Sequence, residues 1–354
     1  MSTINAAADE IPDAPAVEAS AADATPAPVE AGLLTPPPLL PWGEKPSPVK
    51  VGQPGATSEE LAAAGADIAP VTKNDPPKPE AGYFIKGSHP SKRKARQSRW
   101  KANDVIPPAT PLLADNPPPK LRGAKFQYAG AFQFAEIDGS YANLVISKPE
   151  LDFNEAHTLG EIALESPDQK QTVEVGWTVD PGLNKKSLEP HFFVYHWVDN
   201  ETSCYNGCGW VQYSKTVEPG DILPTGSKRF GIVHSGTAWW ISYDSEWIGY
   251  FPDGLWGNKY KKAGLAQWFG EVASRNPTPC SEMGTGKPAK DDGAARFGTI
   301  SLVNGPPLSL SMDASGWDDD KQEALPGTYT HEYLGDRTFR YGGPGTVSDI
   351  CQKR

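Results

Sequence analysis

The sequence predicts an all-β domain, a sandwich or barrel of antiparallel strands, behind a long and largely disordered leader. Three observations carry this. Over residues 126–351, short apolar-aromatic runs are separated by Gly, Pro, Asp and Asn, as strands are by turns. Hardly a window there has the 3.6-residue period of a helix. Before residue 126, Ala, Pro, Asp and Glu dominate, a composition that buries too little apolar surface to offset the entropy of ordering.

The division is therefore a leader, 1–120, and a β domain, 121–354. In the leader, Pro36-Pro37-Pro38, Pro76-Pro77 and Pro117-Pro118-Pro119 are stiff spacers. Residues 58–66 predict a short helix, capped by Ser58 with Glu59 and Glu60 in its first turn. Residues 1–80 hold 12 Asp+Glu against 4 Lys, and residues 81–123 hold 9 Lys+Arg against 2 Asp. The basic run Lys92-Arg93-Lys94-Ala95-Arg96, inside 86–101, reads as a processing site, a nuclear address or an anion-binding patch. The plainer reading is a solvated linker. If it is cut, the leader is a pro-segment. A net charge of −11 argues against nucleic acid as a partner of the whole chain. No run of about 20 apolar residues exists to span a membrane. Residues 1–31 show no basic and then apolar signal-peptide pattern.

Fourteen strands are predicted in the β domain, at 126–134, 141–147, 158–166, 171–179, 191–198, 209–214, 229–234, 238–243, 247–251, 266–273, 296–303, 308–312, 328–333 and 338–341. Ser235-Gly236-Thr237 predicts a tight hairpin turn. Trp is concentrated between Trp177 and Trp268. So many rings fit either a large core or an aromatic-lined cleft.

Metal chemistry has little support: His191 and His196, the only close pair of histidines, point to opposite faces of a strand. Four cysteines, Cys204, Cys208, Cys280 and Cys351, allow three pairings. A Cys204–Cys208 bridge would contribute about 2 kcal/mol on the chain-entropy model, and a Cys280–Cys351 bridge, with its longer loop, about 4 kcal/mol. No Gly-x-Ser-x-Gly elbow is present. Met283-Gly284-Thr285-Gly286 lacks the Lys-Ser/Thr of a phosphate loop.

Carboxylates remain. In Thr172-Val173-Glu174-Val175-Gly176-Trp177-Thr178-Val179 the valines and Trp177 share one strand face, and Glu174 stands on the other beside Gly176. Taken alone, Glu174 reads as a solvated surface carboxylate. Ala266-Gln267-Trp268-Phe269-Gly270-Glu271-Val272-Ala273 repeats the pattern with Glu271. Two carboxyls in one cleft can divide the work of base and acid.

These residues carry a resemblance. The Glu174-Val175-Gly176-Trp177 strand, Phe193-Val194-Tyr195-His196-Trp197, Cys204-Tyr205-Asn206-Gly207-Cys208-Gly209-Trp210-Val211-Gln212, Trp239-Trp240 with Ile248-Gly249-Tyr250-Phe251-Pro252, Phe269-Gly270-Glu271 and Met283-Gly284-Thr285-Gly286 resemble, in order, motifs of the neprosin family of glutamic peptidases. The resemblance implies two large packed antiparallel sheets with a cleft across one face. It implies Glu174 and Glu271 as catalytic residues of a proline-directed endopeptidase favoured at acidic pH, with no metal or cofactor. Gly176 then reads as clearance for the substrate backbone. Trp177, Gln212, Trp239, Trp240, Tyr243 and Tyr250 are the candidate substrate-binding side chains, because proline rings stack on aromatics. The implied partners are proline-containing peptides or proteins, with no nucleic acid and no membrane, and the chain is expected to be a monomer. Family habit and cysteines point to an extracellular or acidic compartment. The first cysteine pair is one residue closer than in the family, and Phe251 and Phe269 stand where Trp and Gly are usual. Two alternatives use the same features: a carbohydrate-binding lectin-like sandwich without activity, and a glycosidase working through the same two carboxylates.

Overall fold

The computed structural model describes residues 33–47, 124–153, 155–318, 321, 323–335, 337–346 and 351. The helix predicted at 58–66 and the basic run at 86–101 lie outside them.

Among the described residues there is no α-helix, and the strands form two antiparallel sheets, one of nine strands and one of eight. The strands are β1 (Lys125–Ile137), β2 (Gly139–Ile146), β3 (His157–Glu165), β4 (Thr172–Val179), β5 (His191–Val198), β6 (Glu201–Thr202), β7 (Val211–Gln212), β8 (Gly226–Ser235) and β9 (Ala238–Tyr243). There follow β10 (Glu246–Pro252), β11 (Ala263–Ser274), β12 (Ala295–Val303), β13 (Ser311–Asp313), β14 (Ser315–Asp318), β15 (Glu323–Pro326), β16 (Thr330–Gly335) and β17 (Thr338–Gly342). The first sheet runs β15-β14-β1-β11-β3-β4-β5-β6, with β13 also paired to β1. The second runs β16-β17-β12-β2-β8-β9-β10-β7.

Period-two alternation builds the core between the sheets. Val173, Val175, Trp177 and Val179 of β4 meet one interior together with Ala142 and Leu144 of β2, Phe230 and Ile232 of β8, and Trp239, Ile241 and Tyr243 of β9. Two of the buried indoles find acceptors inside, since Trp239 donates to the Tyr260 carbonyl at 2.9 Å and Trp268 to Ser140 Oγ at 3.1 Å. The hairpin predicted at Ser235-Gly236-Thr237 closes β8 onto β9, with Gly236 at φ +64°.

The structure differs from the sequence reading at short strands. The strand predicted at 209–214 shrinks to the two residues of β7, because the chain before it is held in a Cys204–Cys208 loop. The strand predicted at 308–312 is displaced to β13, and the short strands β14 and β15, at one end of the first sheet, have no counterpart among the predicted strands. Strands this short carry too few alternating residues to be told from turns. The second disulfide joins Cys280 to Cys351.

Of the leader, residues 34–47 run without regular secondary structure over the second sheet.

Candidate active site

The site is assembled by register across the first sheet. Glu174 of β4 pairs with Ala163 of β3, which pairs in turn with Gln267 of β11. Glu161 of β3 lies between Gly176 and Phe269. Glu271 of β11 lies beside Leu159, which lies beside Thr178. Directly paired residues project to the same side of a sheet. Glu174, Glu161 and Glu271 therefore share the face turned away from the core.

The three form a diagonal. Glu174 and Glu271 are two strands and four residues apart, roughly 16 Å between Cα atoms in a flat sheet, and Glu161 sits midway at roughly 8 Å from each. None is a solvated surface carboxylate, since Glu174 is 1 % exposed, Glu161 0 % and Glu271 3 %. Trp197 Nε1–H donates to Glu174 Oε1. His157 Nε2 lies 2.8 Å from Glu271 Oε1, and its Nδ1 lies 3.7 Å from Asp180 Oδ2, close enough for an ion pair though long for a hydrogen bond. Burial by itself pushes the imidazole down, but Asp180 and Glu271 outweigh it and raise its pKa to about 9. At acidic and neutral pH this is an imidazolium bracketed by two carboxylates.

Aromatic side chains flank the diagonal. Phe193, Tyr195 and Trp197 of β5 cluster with Tyr205 on one side, and Tyr128, Phe269 and Trp317 on the other.

The six predicted substrate-binding residues lie elsewhere. Trp177, Trp239 and Tyr243 point into the inter-sheet core. Trp240 and Tyr250 stand on the far face of the second sheet, and Gln212 braces a loop through the Ser214 and Val217 carbonyls, both at 2.8 Å. Trp177 is three residues from Glu174, so alternation sends it to the opposite side. The others belong to the second sheet, beyond the core from the glutamates.

The glycines beside the two glutamates also have another cause. A Cβ on Gly176 would fall 2.2 Å from the Gly160 carbonyl and 2.8 Å from Glu161 Cβ, so its missing side chain admits β3 and Glu161, not a substrate backbone. A Cβ on Gly270 would fall 2.4 Å from the Tyr341 ring inside the core.

Sequence reasoning passed over Glu161, His157 and Asp180. Glu161 and His157 share alternation parity along β3, but only register shows that this parity matches that of Glu174. His191 and His196 project to opposite faces, as alternation predicts, with His196 packed 4.8 Å from Phe251 in the interior. Burial lowers the His196 pKa to about 3, so it is neutral. Among the described residues no group of three or more His, Cys, Asp or Glu is placed to hold a metal ion, and no helix is long and apolar enough to cross a membrane.

The family model that matches the chain is Neprosin, over residues 154–344. The chain belongs to the neprosin family. By that membership it is a glutamic peptidase. The matched span includes β3, β4 and β11, the strands that carry the diagonal. No curated protein matches the chain. Among solved structures it is similar to Scytalido-glutamic peptidase bound to a peptide-based transition-state analogue, at 10 % identity and TM-score 0.31, covering 62 % of this chain and 98 % of that one. It is also similar to SCP-B, a member of the eqolisin family of peptidases, in complex with the tripeptide Ala-Ile-His, at 11 % identity, TM-score 0.29 and the same coverages. A third, the Crh5 transglycosylase, aligns at 12 % identity and TM-score 0.26 over 41 % of this chain and 56 % of that one.

Proposed function

We propose that this neprosin-family chain hydrolyses peptide bonds next to proline at acidic pH, with Glu174 and Glu271 as the catalytic pair. The observation that carries the reading is the register that sets both carboxylates on one face of one sheet, flanked by aromatic rings. Trp197 holds the Glu174 carboxyl and His157 the Glu271 carboxyl, so this reading requires both to turn toward a substrate lying between them.

Glu271, ion-paired to His157, takes the proton from the attacking water. Glu174, in its protonated form, donates to the scissile carbonyl oxygen as the tetrahedral intermediate forms. Glu271 then passes the water's proton to the departing amine, the C–N bond breaks, and Glu174 recovers its proton from the intermediate's hydroxyl as the carbonyl reforms. The need for one protonated and one ionised carboxyl confines activity to the acidic side. Tyr195, Trp197 and Tyr205 offer rings on which a proline can stack.

The test is hydrolysis of a panel of proline-containing peptides at acidic pH by the full chain and by Glu174→Gln and Glu271→Gln. Both variants should stay folded and lose hydrolysis. Retained activity in either folded variant would refute the pair. An oligosaccharide panel in the same buffer tests the glycosidase reading, and turnover there with none on peptides would replace this proposal.

A further inference from the structure

The aromatic residues on the far face of the second sheet already hold a proline-rich peptide, and it is part of this chain. Residues 34–47 read Leu-Thr-Pro-Pro-Pro-Leu-Leu-Pro-Trp-Gly-Glu-Lys-Pro-Ser, five prolines in fourteen residues. Such a segment supplies few N–H donors and prefers an extended polyproline conformation, which suits an aromatic surface better than a sheet ladder.

Its contacts run across the sheet. The Leu34 N–H donates to Tyr250 Oη at 3.1 Å, and Trp247 Nε1–H donates to the Pro37 carbonyl at 3.0 Å, both on β10. Pro41 then sits over β8, where its Cγ would lie 3.1 Å from a Cβ on Gly231. Trp42 packs edge-on against Tyr141 of β2 at 5.8 Å, with the Arg229 guanidinium 5.0 Å from its ring. A turn closed by the Leu40 N–H and the Glu44 carbonyl at 2.8 Å reverses the chain. The Ser47 N–H reaches the Ser245 carbonyl at 2.6 Å, at the β9–β10 turn. Leu40, Trp240, Trp247 and Tyr250 are each 2 % exposed or less. An indole N–H on a proline carbonyl, within a cluster of aromatic rings, is how aromatic grooves recognise polyproline peptides.

We propose that this face is a binding site for an extended proline-rich peptide and that residues 34–47 are its ligand, held in cis. It lies on the opposite sheet from the glutamates and does not depend on the proposed catalytic pair. Its consequence concerns processing. A cut anywhere in residues 48–123 leaves the N-terminal piece docked on the β domain, so that the product is a two-chain protein.

The experiment uses the full chain with a recognition site for a sequence-specific protease inserted between Gly55 and Ala56. After cutting, gel filtration at micromolar protein should keep the N-terminal piece with the domain. The same protein carrying Leu40→Asp and Trp42→Ala should release it, because both changes are on the peptide and leave the domain intact. A synthetic peptide of residues 33–47 in excess should displace the piece, and the same peptide with its five prolines replaced by Ala should not. Release of the unmodified piece on cutting, retention of the double variant, or equal displacement by the two peptides would each overturn the proposal.

Discussion

Replacing His157 by Gln removes the cation between Glu271 and Asp180 while keeping a side chain of similar reach that still donates a hydrogen bond. The magnitude follows from linkage. The folded-state pKa of about 9 lies above the ordinary value of 6.5, a difference equivalent to about 3 kcal/mol. The folded protein keeps a proton that the unfolded chain releases above pH 6.5. The stabilisation is therefore complete below pH 6.5 and is lost as pH rises through 9. Urea unfolding of the full chain and of His157→Gln, followed by tryptophan fluorescence from pH 5.5 to 10, measures it. At pH 6 the variant should be less stable by about 3 kcal/mol, and the gap should close toward pH 10. Groups that do not touch His157 titrate alike in both proteins and cancel in the difference. Parallel stability curves across pH 6.5–9 would show that His157 holds no extra proton and that Glu271 is not ion-paired to it.

Glu161→Gln keeps the shape of the residue midway along the diagonal but removes its charge, and kcat on a proline peptide should fall less than in Glu174→Gln or Glu271→Gln; a loss equal to theirs would move Glu161 into the catalytic pair. Gly176→Ala places a methyl 2.2 Å from the Gly160 carbonyl, so β3 and β4 must separate, at a cost of about 1–3 kcal/mol seen as a lowered Tm. His196 has its folded pKa depressed to about 3 by burial; it contributes stability above pH 6.5 that is lost as pH falls toward 3, and His196→Phe should flatten the acid limb of an unfolding curve. Cys280→Ala with Cys351→Ala opens a loop of sequence separation 71 and should cost about 4 kcal/mol on the chain-entropy model, measured as a shift in the urea midpoint.

Alternation along single strands was legible in the sequence. It placed Val173, Val175 and Trp177 on one face and Glu174 on the other, and it separated His191 from His196, because the period of two is a local property of extended backbone. The resemblance placed Glu271 beside Glu174 in role. Neither could show that β3 runs between β4 and β11, since strand order depends on contacts distant along the chain. That order puts Glu161 in the gap between the two glutamates and His157 against Glu271. The pairing of β9 with β10 likewise puts Trp240 and Tyr250, read as substrate-binding aromatics, in the second sheet, where Tyr250 meets Leu34 of its own chain. In the strand from Thr172 to Val179, the sequence determined which residues share a face. Only the packing of sheet on sheet decided which face is core and which carries the carboxylates, because burial belongs to the assembled layers and not to any one strand.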